Sequence, residues 1–541
     1  MLSRSRLPDD SRSQFYPPCP AWYGWGLLGI FLISLGLRFW GLERFNTLVF
    51  DEVYYVKFAN NYLTHTPFFD GHPPLSKYII AMGMAIGNKL PWGQTVVNDF
   101  AGSIRSTWSY RWLNALLGSC IPLVIAGLTY YLSFRPRFAL LAGFLAAVDG
   151  LFLVESRYAL NNIHLVLFGL LGQVCFLIAA RQGGWKSWLW LPLAGSFFGA
   201  AVSVKWNGLW FLLATYALWL PTAIFQLMQL AGQKFQNLSL PAIPWQGRSL
   251  GEQIGRLNPI AVLLGLCVIP TLVYYLLWIP HLIQNPSETF IELQKKIFAY
   301  HQGSSVMGDV HPYCSTWNTW LSMRYPVVYF YRRGIDPTQV LVPNSADRAL
   351  ADSAIYDVHS MGNPALWWLS TLAIGITLAV VFLQTCFKIT DLFQPRPANP
   401  VAASPTESTP VHQQARLRFT PWANRLFHAK PLSSDHWIAV YLAINYLTNL
   451  LPWTRISRCA FLYHYMGSLI FATIALAWWF DRALQNRNPD LKTIVQLLVV
   501  LIVLAFIWWM PVYLGLPLDE TGYRLRMWFD TWICGIRCPK L

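Results

Sequence analysis

AWYGWGLLGIFLISLGLRFWGLERFNTLVFDEVYYVKFANNYL, residues 21–63, decides the fold. Up to Trp40 it is apolar but for Ser34 and Arg38, and about 20 such residues cross a bilayer as a helix. An acidic pair, Asp51 and Glu52, follows almost at once. Comparable apolar stretches recur along the chain and predict eleven spans, at 22–41, 109–132, 137–154, 159–180, 188–204, 207–229, 258–279, 365–386, 436–452, 459–480 and 493–515. Composition agrees. Of 541 residues, 55% are hydrophobic and only 12% charged, with 27 Trp. Soluble domains carry about 25% charged residues. Too little charge is present to cover a soluble surface, and too much apolar residue for intrinsic disorder. The expected fold is an all-α polytopic membrane protein, a single module over 1–541.

The net charge of +15 is placed in connections, not in a nucleic-acid patch. Arg4, Arg6 and Arg12, then Arg135, Arg181, Lys186, Lys234, Arg248 and Arg256, fall on one side of the spans. The loop 387–435 and Arg482, Arg487 and Lys492 continue the series. The other side holds as many basic residues but in longer segments with more acids, and the positive-inside rule applies to short loops. The N-terminus is therefore expected inside and the C-terminal tail, 516–541, outside. Segment 1–21 is polar and basic with no apolar core, so it does not read as a cleavable signal peptide. Two outer loops, 42–108 and 280–364, exceed what a connection needs, and long loops tend to carry function. Segment 394–414 is rich in Pro, Ser, Thr and Ala and reads as a flexible inner stretch. Cys534 and Cys538 form a tight pair whose spacing permits a disulfide without requiring one.

Charged residues in or beside apolar sequence are the candidates for chemistry. Asp51 and Glu52 could simply favour a helix start, or their mutual repulsion could raise one pKa and suit it to proton abstraction. In GHPPLSK, Pro73 and Pro74 fix a turn carrying His72 and Lys77, and Lys77 is either a snorkelling side chain or a point charge for a phosphate. Arg111, Glu155, Arg157 and Lys205 each interrupt apolar sequence, with a local Glu155–Arg157 ion pair as the plainer reading. HPYCSTWNTWLSMR interleaves His311, Tyr313, Trp317 and Arg324, which suits a sugar ring or an interfacial helix. His464 lies in FLYHYM, at an outer helix start. No P-loop, dinucleotide fingerprint or GxSxG elbow is present. His65 and His72 match no zinc spacing.

The motifs FDEVYYVKFA, GHPPLSKY, ESRYALNN, SVKWNGLW, HPYCSTW and FLYHYM occur in the order expected of protein O-mannosyltransferases, and the chain resembles that family over nearly its whole length. The resemblance implies a GT-C-type bundle with two long extracytoplasmic loops. It implies inverting transfer of mannose from a polyprenyl-phosphate donor to Ser or Thr hydroxyls of secreted or membrane polypeptides. Asp51 becomes the base and Glu52 an organiser of the site. Lys77, His72, Arg111, Arg157 and Lys205 become phosphate ligands, and His311, Tyr313, Trp317, Arg324 and His464 sugar or acceptor contacts. A base on one face and cations on the phosphate are what the chemistry needs. Two departures stand out. Asn161 and Asn162 occupy a segment where the family commonly has an aspartate, which leaves a metal role there undecided. The loop 280–364 is also too short to contain the β-trefoil of eukaryotic members. The expected setting is a bacterial plasma membrane with the site facing outward, or the ER membrane in a eukaryote. The resemblance fixes no cofactor, and a divalent cation is left open. Alternatives are a GT-C enzyme glycosylating a lipid or wall glycan, and a transporter. The one-sided clustering of charge disfavours the transporter.

Overall fold

In the first stretch, helix α1 (Ala21–Phe39) ends at the Trp40–Phe50 turn and α2 (Glu52–Leu63) begins at the acidic pair. The structure, a computed structural model, describes residues 19–235, 245, 248–302, 311–334, 354–393, 433–456 and 458–534. Next come α3 (Leu75–Gly87), α4 (Thr107–Ser133), α5 (Pro136–Ala147), α6 (Gly150–Arg157), α7 (Asn162–Gln182), α8 (Gly184–Val202) and α9 (Leu209–Phe235). After these lie α10 (Pro259–Gln284), α11 (Phe290–Gln302), α12 (Pro364–Phe393), α13 (Ser434–Leu450), α14 (Met466–Gln485) and α15 (Pro489–Leu514).

Among the described residues, seven helices are long and apolar enough to cross a bilayer: α1, α4, α7, α9, α10, α12 and α15. The α7 window is 83% buried and that of α1 only 22%, which puts α7 at the centre and α1 on the lipid-facing rim. The span expected at 137–154 is broken. α5 and α6 meet at a 60° bend, and the Asp149 carboxylate caps α6 by accepting from Phe152 N–H at 3.0 Å. α8, α13 and α14 fill the remaining expected positions as shorter or less apolar helices, so length and apolarity support seven or eight spans where the sequence predicts eleven. The span expected from 459 begins only at Met466, because Leu462–Tyr465 forms a 3-10 turn and Cys459 is bonded elsewhere.

The soluble-facing elements gather at one end of the bundle. Strands β1 (Val97–Asn98) and β2 (Arg105–Ser106) form a minimal pair before α4. Strands β3 (Val327–Arg333) and β4 (Ile355–Ser360) pair antiparallel, with Val327 opposite Ser360 and a register shift between Val328 and Phe330. An Ile355–Leu518 bridge adds the C-terminal tail to this hairpin. A disulfide joins Cys314 to Cys459, 145 residues apart, and a Ser315–Ala460 bridge lies beside it. The sequence reading did not foresee this bond. Cys538 lies outside the described residues, as does the side chain of Cys534, and with them their expected pairing.

Candidate active site

Phe50 sets the geometry of the acidic pair. Its φ of 53° is left-handed, a conformation that costs an L-residue roughly 1–2 kcal/mol. Stacking offsets that cost: the Phe50 ring lies 4.1 Å from the Tyr329 ring at 7°, with Phe461 and Tyr463 edge-on. The turn sends Glu52 into the bundle and leaves Asp51 at the mouth of α2, making no cap bond to it.

Glu52 is fully buried and fully used. Its Oε1 accepts from Arg111 Nε at 2.9 Å and Ala159 N–H at 2.8 Å. Its Oε2 accepts from Arg111 Nη2 at 2.7 Å and Val49 N–H at 2.8 Å. Arg111 spends its remaining N–H groups on the Leu42, Phe45 and Thr47 carbonyls. All five guanidinium donors are thereby committed. Arg157 is likewise engaged, donating to the Leu37, Arg38, Trp40 and Gly41 carbonyls at the C-terminal end of α1. A cation there complements the helix dipole.

Asp51 faces a different environment. Its electrostatic neighbours are Lys205 and Asp70, and burial pushes its carboxyl up to about 6 despite the Lys205 charge, with Asp70 adding to the rise. Burial pulls the Lys205 ammonium down to about 8, against the opposing pull of Asp51 and Glu155. Lys205 donates to Asn162 Oδ1 at 2.8 Å and lies 5.5 Å over the Tyr463 ring. Asn162 Nδ2 in turn donates to Glu155 Oε2 at 3.1 Å. Glu155 therefore pairs with Asn162 and Tyr329 and not with Arg157.

Around this pair the structure collects histidines and a further arginine. Lys77 is buried and ion-paired to Asp70, and also donates to the His72 carbonyl at 2.8 Å. The His72 and His301 rings sit 5.3 Å apart, and His301 lies 5.7 Å from Trp206. Burial, with Lys205, His301, Lys77 and Arg458 nearby, holds His72 neutral, well below the usual imidazole range. A Cβ at Gly71 would overlap the Tyr300 ring, so the glycine before His72 is demanded by the close approach of α11. Arg458 is half-buried, and among the described residues its only hydrogen bond goes to the Cys459 carbonyl, at 3.3 Å. His464 completes the rim, its Nδ1 accepting from Phe461 N–H at 3.1 Å. A small cavity beside it is lined by Asn162, Asn207, Asn449 and Tyr463.

The second-loop candidates are dispersed. Tyr313 donates to the Ile533 carbonyl at 2.6 Å, and the His311 ring meets Phe461 edge-on at 5.1 Å. Trp317 packs against the core, while Arg324 is exposed over its neighbour Tyr325. Among the described residues, no three His, Cys, Asp or Glu side chains converge into a metal-holding group.

Two family models together cover most of this chain. Residues 29–284 match dolichyl-phosphate-mannose-protein mannosyltransferase, and residues 286–532 match the C-terminal four-transmembrane region of protein O-mannosyltransferase. The chain belongs to the protein O-mannosyltransferase family. A polyprenol-phosphate-mannose–protein mannosyltransferase of Mycolicibacterium smegmatis is 22% identical over 90% of this chain and 88% of its own length. A zebrafish (Danio rerio) protein O-mannosyl-transferase is 31% identical over 41% of this chain and 30% of its own. The fold matches that of a Saccharomyces cerevisiae protein O-mannosyltransferase complex bound to its sugar donor. The TM-score is 0.67 at 14% identity, covering 95% of this chain and 93% of the other. In this mannosyltransferase-family protein, residues of the FDE, GHPPLSK, SVKWNG and FLYHYM motifs are electrostatic neighbours although the first and last motifs are about 400 residues apart. Sequence reasoning missed Asp70, Tyr300, His301 and Tyr329. Arg458 has no role in the sequence reading either. Asp70 did leave a signal, an acid in the same turn as Lys77.

Proposed function

We propose that the protein transfers mannose, with inversion, from a polyprenyl-phosphate carrier to Ser or Thr hydroxyls of polypeptides on the outer side of the membrane. The observation that supports this reading is that Asp51 and Lys205 are electrostatic neighbours, with His72, His464 and Arg458 within the field of the same lysine. Asp51 accepts the acceptor proton as the hydroxyl attacks the anomeric carbon. A base with a pKa near the working pH suits that task. Lys205 and Arg458 draw the departing phosphate to the opposite face, and His72 lines its path. Phosphate leaves readily, so no second carboxylic acid is needed. Arg111 and Arg157 are assigned to the scaffold in this reading, since loop carbonyls and Glu52 use their donors. Lys77 acts through Asp70, fixing the turn that carries His72. Of the second-loop candidates, His311, beside Phe461, is assigned to the approach of the acceptor, while Tyr313, Trp317 and Arg324, held against Ile533, the core and Tyr325, are not. Outward orientation is supported by the basic inner connections, and by Arg135 and Arg482 pairing with Asp435 at the start of α13 while Arg458 and His464 follow its end.

The test is reconstitution in liposomes with a synthetic polyprenyl-phosphate mannose and a Ser/Thr peptide. The expected product is an α-linked mannose on a hydroxyl when the donor is β-linked. No transfer to peptide, or transfer to lipid alone, would overturn the reading.

A further inference from the structure

Tyr329 ties the second outer loop to both charged partners of the pocket. It is the residue at which β3 and β4 slip register, since Val328 faces His359 while Phe330 already faces Val358. The extra residue of a bulge leaves the ladder, and bulges beside active sites re-aim a side chain. The ring of Tyr329 lies on Phe50, the left-handed residue directly before Asp51. The hydroxyl donates to Glu155 Oε1. The other Glu155 oxygen accepts from Asn162 Nδ2 at 3.1 Å, and Asn162 Oδ1 accepts from Lys205 Nζ at 2.8 Å. A carboxylate only accepts, so it fixes which end of the Asn162 amide turns toward the ammonium. Tyr329 and Glu155 are both buried, and the chain of bonds runs unbroken from the hairpin to Lys205.

We propose that Tyr329 is a positioning residue for the transfer reaction. Its ring braces the backbone that presents Asp51, and its hydroxyl, through Glu155 and Asn162, aims Lys205 at Asp51. The inference rests on Asp51 being the base. Through this residue the β3–β4 hairpin belongs to the active site without touching substrate, and Asn162 gains a use as the link between Glu155 and Lys205. An aspartate at 162 would set a second carboxylate against Glu155 and break the amide's one-way orientation.

The test compares full-length Tyr329→Phe, Glu155→Gln and Asp51→Asn proteins in the reconstituted transfer assay. Tyr329→Phe keeps the ring and deletes the hydroxyl arm. A small misplacement of a reacting group costs up to roughly 100-fold, so kcat should fall about 10- to 100-fold. The KM for the lipid donor should stay within about twofold, as expected when an interaction made only in the transition state is lost. The groups facing Asp51 are Lys205, Asp70, Glu155, Tyr55, Tyr300 and Tyr463. Lys205 is the cation among them and holds the Asp51 pKa down. Its displacement should move the acid limb of kcat to higher pH. Glu155→Gln should give the same signature, because the Gln amide offers one acceptor oxygen where the carboxylate offers two, so either the Tyr329 hydroxyl or the Asn162 amide must turn away from its present partner. Normal kcat and an unmoved acid limb in both variants, with Asp51→Asn inactive, would overturn the positioning role and leave the base assignment intact. A loss confined to donor KM or to folded yield would make Tyr329 merely structural. An active Asp51→Asn protein would remove the base and this inference together.

Discussion

Asp51 and Glu52 are adjacent in sequence and opposite in circumstance. Glu52 accepts four hydrogen bonds, two of them from a fully buried arginine. Asp51 makes no hydrogen bond through its carboxylate to any described residue, and its nearest counter-charge, Lys205, is itself shared with Asn162 and Glu155. A carboxylate that holds structure is saturated with donors, and Glu52 has no oxygen left over for a substrate hydroxyl. One that must take a proton is left short of donors beside a cation that keeps it ionised. The left-handed Phe50 decides which of the two faces inward.

The comparison breaks most visibly on the scaffold side. Arg111→Leu strands Glu52 as an uncompensated buried charge and orphans three loop carbonyls, and breaking such a pair costs about 3–5 kcal/mol. The expected outcome is loss of monodisperse protein, or a large drop in melting temperature in detergent. A variant as stable as the parent would show that Glu52 is not the structural partner. On the pocket side, Lys205→Met should leave the melting temperature near normal and lower kcat/KM by roughly 10²–10³-fold, the usual worth of one charge-stabilising group. Loss of Lys205 also lets the Asp51 pKa rise, so the acid limb should move upward; an unmoved limb would separate the two residues.

A milder probe is pH alone. Asp51 must be ionised and its pKa lies near 6, so kcat/KM should fall about tenfold per unit below that value. Lys205 must be protonated and its pKa lies near 8, so an alkaline limb should begin there. A profile flat between about 5 and 9 would put the chemistry on other groups. The smallest effect is expected at Cys459→Ser. The Cys314–Cys459 bond anchors the loop carrying Arg458, so its loss should raise the donor KM by only about 2- to 5-fold and lower thermal stability, the disulfide acting mainly on the unfolded chain. An unchanged KM would remove Arg458 from the phosphate path.

The membrane class was legible from composition, and the pocket from motif order, because apolar runs and interrupting charges are local signals. Partner choice was not legible. Arg111, Arg157 and Lys205 look alike in sequence, each a cation in apolar surroundings. Only the fold shows the first two spent on carbonyls and Glu52, and the third bonded to Asn162 with Asp51 as an electrostatic neighbour. The break between α5 and α6 was hidden because the apolar run continues through Val148 while the Asp149 cap ends the helix geometry. The Cys314–Cys459 bond escaped notice because Cys314 lies in the HPYCSTW motif while Cys459 opens an expected span. Their pairing depends on a contact 145 residues long-range, which spacing cannot reveal. Tyr329 left no signal at all, since its role comes from a bulge in a hairpin.

The division of labour between the two acids is tested most directly by Asp51→Asn, assayed for turnover at saturating donor and acceptor and for melting temperature in the same preparation. The amide keeps size and shape but cannot take a proton. Turnover should fall roughly 10²–10⁴-fold, the usual worth of a general base, while the melting temperature stays at the parent value. Near-normal turnover in a folded Asp51→Asn protein would contradict the account.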